Sequence, residues 1–166
     1  RDLPAGLHDL LAKLPGFGQA GDILATVTDS GIDLVLYPAK PGEPALADRE
    51  ALADFANAHD LARIAWAPQP SLRPEPVLTR KQPREKFDAI AADIPPGSFL
   101  QPSRAGEAAI LAAVRDAIAD AKVLADLYAG LGTIGLRLAA EGRQVHAAEG
   151  DEAMVAALRR AAGLHP

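Results

Sequence analysis

Residues 123–151 read VLADLYAGLGTIGLRLAAEGRQVHAAEGD. An apolar run from Val123 to Tyr128 has the length of a buried strand, and a glycine turn follows it. Residues 133–141 carry a helical pattern, and residues 144–149 form a second strand-like run that ends on Glu149. Strand, glycine turn, helix, strand is half of a nucleotide-binding βαβ unit, and it implies a parallel sheet.

Working outward, the helical spacing of Ile110, Leu111, Val114 and Ile118 predicts a helix over 105–119, with Ser103 as its cap. A last helix is expected over 152–162, burying Met154, Val155, Leu158 and Ala162. Phe87 to Asp93 reads as one strand, running into Ile94-Pro95-Pro96-Gly97. Before this region the pattern differs. Leu3, Leu7, Leu10, Leu11 and Leu14 give the first 14 residues a helical face, ended by Pro15 and the glycines that follow. Ile23–Thr28 and Ile32–Tyr37 flank Asp29-Ser30-Gly31 and predict a β-hairpin with one covered side. A helix is expected over 46–59, capped by Asp48, with Leu46, Ala53, Phe55 and Ala56 inward. Ala62–Ala67 and Pro76–Arg80 read as short strands around the proline-rich loop Pro68–Pro74, placed at a sheet edge by prolines that cannot donate to a ladder. The expected organisation is a small α+β domain over 1–82, then over 83–166 the N-terminal half of a Rossmann-like α/β sheet.

Composition narrows the chemistry. The 166 residues are 49% hydrophobic but only 4% aromatic, which suits helices packed on a sheet with an Ala, Leu, Val and Ile core. There is no cysteine, so disulfides, thiolate metal sites, iron–sulfur clusters and a cysteine nucleophile are excluded for this chain. The four histidines lie far apart without metal-ligand spacing. Charges interrupt every apolar run near the start, and a cytoplasmic protein is expected. A net charge of -5 argues against a generally basic nucleic-acid surface. Arg80, Lys81, Arg84 and Lys86 form one basic run that either contacts RNA phosphates or is a solvated linker.

Gly130-Leu131-Gly132-Thr133-Ile134-Gly135 matches G-x-G-x-x-G after a strand and before a helix. Glycines let the backbone approach a ligand, and Glu149, 19 positions after Gly130, stands where a carboxylate takes ribose hydroxyls. A helix starting near Thr133 would turn free N–H groups and a positive dipole end toward the ligand. Asp126, four residues before the turn, separates the candidate ligands. A dinucleotide brings a pyrophosphate, whereas S-adenosylmethionine (SAM) brings a cationic sulfonium and an amino group that an acidic side chain favours. The competing reading is that Asp126 caps a turn and Glu149 is a solvated strand end. For Tyr128 the competing reading is core packing with its hydroxyl at the edge, and for Gln101 a loop or cap residue.

With these motifs in view, Phe99-Leu100-Gln101-Pro102-Ser103, the phrase from Asp126 to Thr133 and that from Val145 to Asp151 resemble the SAM-dependent uracil-5 RNA methyltransferases. These enzymes form 5-methyluridine in tRNA and ribosomal RNA. The resemblance is strongest over 86–162; the earlier part is similar to the family's central α+β domain, which helps hold RNA. It implies that Gln101 contacts SAM, that Tyr128, Gly130, Gly132 and Thr133 line the pocket, and that Glu149 holds the ribose. Ser103 stands where the family usually has Asn, Ile134 where it has Phe, and Ala129 where cysteine is frequent. The family attacks uracil C6 with a cysteine thiolate and removes the C5 proton with a carboxylate. Both groups, and an Asp-Pro-Pro-like motif, lie in the family beyond the region matched here, and its iron–sulfur cysteines lie before it. The expectation is therefore a piece of a longer enzyme, carrying the SAM site and no catalytic residue or metal. Its rivals are an NAD-dependent oxidoreductase fragment and a non-catalytic binding module.

Overall fold

The structure is a computed structural model and describes residues 3–18, 20–68 and 73–163. It divides into two units, Arg1–Arg84 and Glu85–Pro166. Residues 69–72 of the proline-rich loop, the first two residues of the expected leading helix, and His165 lie outside the described residues.

In the first unit, helix α1 (Leu3–Leu11) and a 3-10 turn (Pro15–Phe17) precede the hairpin β1 (Gly21–Thr28) and β2 (Gly31–Pro38). Helix α2 (Leu46–His59), β3 (Arg63–Trp66) and β4 (Glu75–Thr79) follow. The sheet order is β1-β2-β3-β4, with β2 and β3 parallel and the other pairs antiparallel. Pro76 sits in an edge strand, where a missing donor costs least. Leu34, Leu36, Ile64 and Trp66 form one core with Leu52, Phe55 and Ala56 of α2 and Leu10 of α1. Trp66 is 4% exposed, donates its indole N–H to the Gly42 carbonyl (2.8 Å) and meets Phe17 edge-on.

Three expectations for this unit need correction. β2 is covered on both sides, because Asp33 and Val35 are as buried as Leu34 and Leu36, while β1 is largely exposed. Asp33 tolerates this because Arg63, its register partner on β3, grips it with two hydrogen bonds of 2.8 and 2.6 Å. Leu46 is 73% exposed at the helix start, and Leu52 takes the inward place instead. Asp48 lies three residues inside α2 rather than capping it from outside, and its carboxylate accepts the Ala45 N–H at 2.9 Å.

In the second unit, the run read as one strand is a hairpin of β5 (Arg84–Phe87) and β6 (Ile90–Asp93). Asp88 makes the turn at φ 57°. Helix α3 (Arg104–Ile118) follows, capped by Ser103, whose hydroxyl accepts the Gly106 N–H at 3.0 Å. Then come β7 (Val123–Leu127), α4 (Gly135–Ala140), β8 (Gln144–Ala148) and α5 (Glu152–Ala161). β7 and β8 pair in parallel from Val123↔Gln144 to Leu127↔Ala148, as the strand–helix–strand pattern predicts. The core gathers Phe87, Ala92, Ile94, Leu131, Leu136 and Ala157, with Met154 and Leu158 packed against it. The expected apolar stripe of α3 is buried only at Leu111, while Ile110 is 41% exposed. On α5 the fully buried residue is Ala157, and Ala162 is exposed. The mixed α/β architecture with a parallel βαβ pair is the one expected for 83–166.

Candidate functional site

β7 ends at Leu127, and Tyr128 turns the chain at φ 59°. A left-handed tyrosine costs on the order of 1–3 kcal/mol and persists only where its surroundings enforce it. Here the turn lets the Ala129 N–H reach the Ala148 carbonyl at 3.0 Å and leaves the Tyr128 ring 92% exposed. Core packing is therefore not the role of this side chain. Gly130 and Gly132 continue at φ 57° and 81°, values that favour glycine.

Two carboxylates organise the turn. Glu149 accepts the Gly130 N–H on Oε2 at 2.7 Å and the Gly150 and Asp151 N–H groups on Oε1 at 2.7 and 2.9 Å. The Asp151 and Gly130 amides hold this carboxyl below the usual glutamate range. Asp126 reaches forward from β7 and accepts the Gly135 N–H. A Cβ on Gly135 would lie 2.6 Å from Asp126 Oδ2, so only glycine allows this approach. Burial pushes the Asp126 carboxyl above its ordinary value, against the opposing Gly135 hydrogen bond.

The expectation of free amides at a helix start near Thr133 is thus corrected. α4 begins at Gly135, the Gly132 N–H closes a turn on the Ala129 carbonyl, and the Gly130 and Gly135 N–H groups are held by the chain's own carboxylates. The competing reading holds for Asp126, which caps a turn, but not for Glu149, which is bound by three amides rather than being a solvated strand end. They hold the turn and also face a cavity.

That cavity has a volume of about 370 Å³, within the roughly 300–1,000 Å³ usual for small-molecule sites. Gln101, Asp126, Tyr128, Gly130, Thr133 and Glu149 all line it. Gly132 does not: its Cα faces the packed interior, where a Cβ would meet Leu158 Cδ1 at 2.5 Å. Phe99, Leu100, Ile110, Leu131, Ile134 and Met154 supply apolar wall, and Glu107 of α3 adds a third carboxylate. Among the described residues no lysine or arginine lines the cavity. Sequence reading missed Glu107, whose place depends on a long-range contact. It also missed Asp151, which caps α5 by accepting the Ala153 and Met154 N–H groups at 2.9 and 3.0 Å. An aspartate directly before a helical pattern was the available signal.

Asp126 leads to a prediction with a defined sign. Its folded-state pKa is raised, so the native chain binds the proton more tightly than the unfolded chain. Its contribution therefore lowers stability as pH rises from the ordinary aspartate value through the raised one. Asp126→Asn keeps an acceptor for the Gly135 N–H and removes the half-buried charge. It is expected to melt a few degrees above wild type at about pH 7, with the difference closing near about pH 3. Thermal unfolding at both pH values checks this, and an unchanged or lowered melting point at neutral pH contradicts it.

Elsewhere, Arg80 and Lys81 of the basic run are ion-paired with Asp60 at 2.9 and 3.2 Å. His146 is exposed. Among the described residues no cluster of three or more His, Asp or Glu side chains is placed to hold a metal ion, and no helix is long and apolar enough to cross a membrane.

Comparison with known proteins gives one consistent neighbourhood. No family model matches the chain. An uncharacterized RNA methyltransferase of Mesorhizobium japonicum is 34% identical over 172 residues, covering 97% of this chain and 39% of the relative. The 23S rRNA (uracil(1939)-C(5))-methyltransferase RlmD of Aeromonas salmonicida is 33% identical over 157 residues, covering 93% of this chain and 35% of the relative. This chain therefore spans about two-fifths of the length of the curated relatives it matches, 39% for the first. Among solved structures, the Pyrococcus abyssi tRNA (uracil-54, C5)-methyltransferase in complex with S-adenosyl-L-homocysteine aligns with a TM-score of 0.64 at 18% identity, over 96% of this chain and 42% of that one. P. horikoshii TYW2 in complex with MeSAdo aligns with a TM-score of 0.51 at 17% identity. The fold is that of these methyltransferases, and the sequence relatives carry RNA methyltransferase names, as the motifs led one to expect.

Proposed function

We propose that this chain carries the SAM-binding part of an RNA methyltransferase that methylates C5 of a uridine in tRNA or ribosomal RNA. The observation that carries the reading is the charge of the cavity. Among the described residues three carboxylates and no lysine or arginine line it, and two amides of the glycine turn, those of Gly130 and Gly135, are already taken by Glu149 and Asp126. Such a wall repels the pyrophosphate of NAD and suits a cation.

Asp126 faces the positive end of the cofactor, and Glu149 accepts a ribose hydroxyl. Gln101 offers an amide that can donate and accept at the rim, and the exposed rings of Phe99 and Tyr128 offer apolar faces there. Gly130 and Thr133 contribute backbone at the cavity wall. When bound, SAM supplies an electrophilic methyl group on a sulfonium. In this reading the cysteine thiolate and the base that act on the uridine belong to residues that this sequence does not contain. The similarity of 157 residues to RlmD supports a uridine substrate, and RNA is the partner of the complete enzyme, working in the cytoplasm.

Calorimetric titration of the chain with S-adenosyl-L-homocysteine (SAH), SAM and NADH tests this. Saturable binding of SAH and SAM in the micromolar range is expected, with none for NADH. Heat from NADH alone would support the oxidoreductase reading and overturn this one.

A further inference from the structure

Arg137 is an unusual residue for the middle of a short buried helix. It is 8% exposed and lies behind the glycine turn, outside the cavity lining. One guanidinium arm, Nη1, donates to the Thr133 carbonyl at 2.9 Å. The other, Nη2, meets Glu107 Oε1 at 2.7 Å. The face of the group lies over the Phe87 ring, 5.2 Å from its centroid. Its Nε stands 3.5 Å from Asp88 Oδ1, within ion-pairing range yet not hydrogen-bonded.

Thr133 and Glu107 both line the cavity, and they come from different elements. Thr133 belongs to the turn after β7, whereas Glu107 lies in the first turn of α3, directly after the segment that bears Gln101. One buried cation thus spans the two walls from behind. There is also an electrostatic reason for it. Glu107, Asp126 and Glu149 all line one cavity, and Glu107, the third carboxylate, would otherwise stand there without a balancing cation. Arg137 neutralises Glu107 from the side away from the ligand. A guanidinium does this where an ammonium cannot, because its planar fork serves a carboxylate and a carbonyl together while stacking on a ring.

We infer that Arg137 is a positioning residue of the cofactor cavity, acting through Glu107 and the Thr133 carbonyl to hold the α3 wall against the glycine turn. The inference rests on the SAM reading of the cavity. Its test is SAH titration by calorimetry of wild type, Arg137→Met, Arg137→Lys, Glu107→Gln and the Arg137→Met/Glu107→Gln pair, with circular dichroism of each. Arg137→Met is expected to raise the Kd for SAH about tenfold while the helix content stays at the wild-type level. Arg137→Lys recovers part of the loss, since it keeps the charge and loses the fork. In the Glu107→Gln background the Arg137→Met change is expected to matter much less, because the two act as one unit. Undiminished SAH binding by Arg137→Met, alongside binding by wild type, overturns this inference and leaves the SAM reading standing. Equal loss in both backgrounds overturns it too, because it would show an effect on the fold alone. If Arg137→Met does not fold, Arg137→Lys carries the test, and wild-type affinity in that variant overturns the inference. No binding of SAH by wild type overturns both readings.

Discussion

Glu149→Ala is expected to weaken SAH binding about a hundredfold, the largest functional loss of any single change in the cavity wall. The size follows from a count of acceptor sites. A carboxylate offers about four lone-pair sites. Oε1 uses two on the Gly150 and Asp151 N–H groups, and Oε2 uses one on Gly130. One site on Oε2 is left for a ribose hydroxyl. Removing the carboxylate deletes that acceptor and also releases the amide that fixes Gly130 at its left-handed φ. Glu149→Gln is expected to be nearly as damaging, since its amide end is a donor and cannot serve both oxygens' partners. Calorimetry with SAH on both variants is the check. Affinities equal to wild type would refute the ribose role.

Arg63→Met is expected to destabilise the first unit by about 3–5 kcal/mol. Asp33 and Arg63 are 2% and 3% exposed and are held by two charge-assisted hydrogen bonds across parallel strands. Removing the arginine strands a carboxylate in a sheet interior, where the cost of desolvation no longer has a compensating partner. The double change Asp33→Leu/Arg63→Met removes both charges and is expected to cost far less. Urea denaturation of the three proteins distinguishes the cases. A single variant within about 1 kcal/mol of wild type would show that the pair is not the keystone of this sheet.

The strands and helices were legible where periodicity was long, as in α2, α3 and the β1–β2 hairpin. They were illegible where a single residue decided the outcome. The β5–β6 turn has no glycine, proline or asparagine, and Asp88 alone supplies the positive φ. The two buried faces of β2 could not be read either, because Asp33 looks solvent-facing until Arg63, 30 residues away, is placed beside it. In the candidate site, glycine spacing and the positions of Asp126 and Glu149 pointed to the turn that borders the cavity. Which way their oxygens face depends on amide directions that a sequence pattern does not carry. Arg137 gave no signal, since a helical pattern offers no reason to look for the partner of a cation in a different helix.

Asp151 has two attachments that act in different directions. Its carboxylate closes the first turn of α5, and its own N–H is given to Glu149. Further along the same helix, Met154 borders the cavity and Leu158 lies against Gly132. The carboxylate proposed to receive the ribose is therefore tied to a helix that lies after it in the chain. Fraying of α5 from its first turn would take away one of the three amides on Glu149 and loosen the carboxylate against its two remaining partners, Gly130 and Gly150.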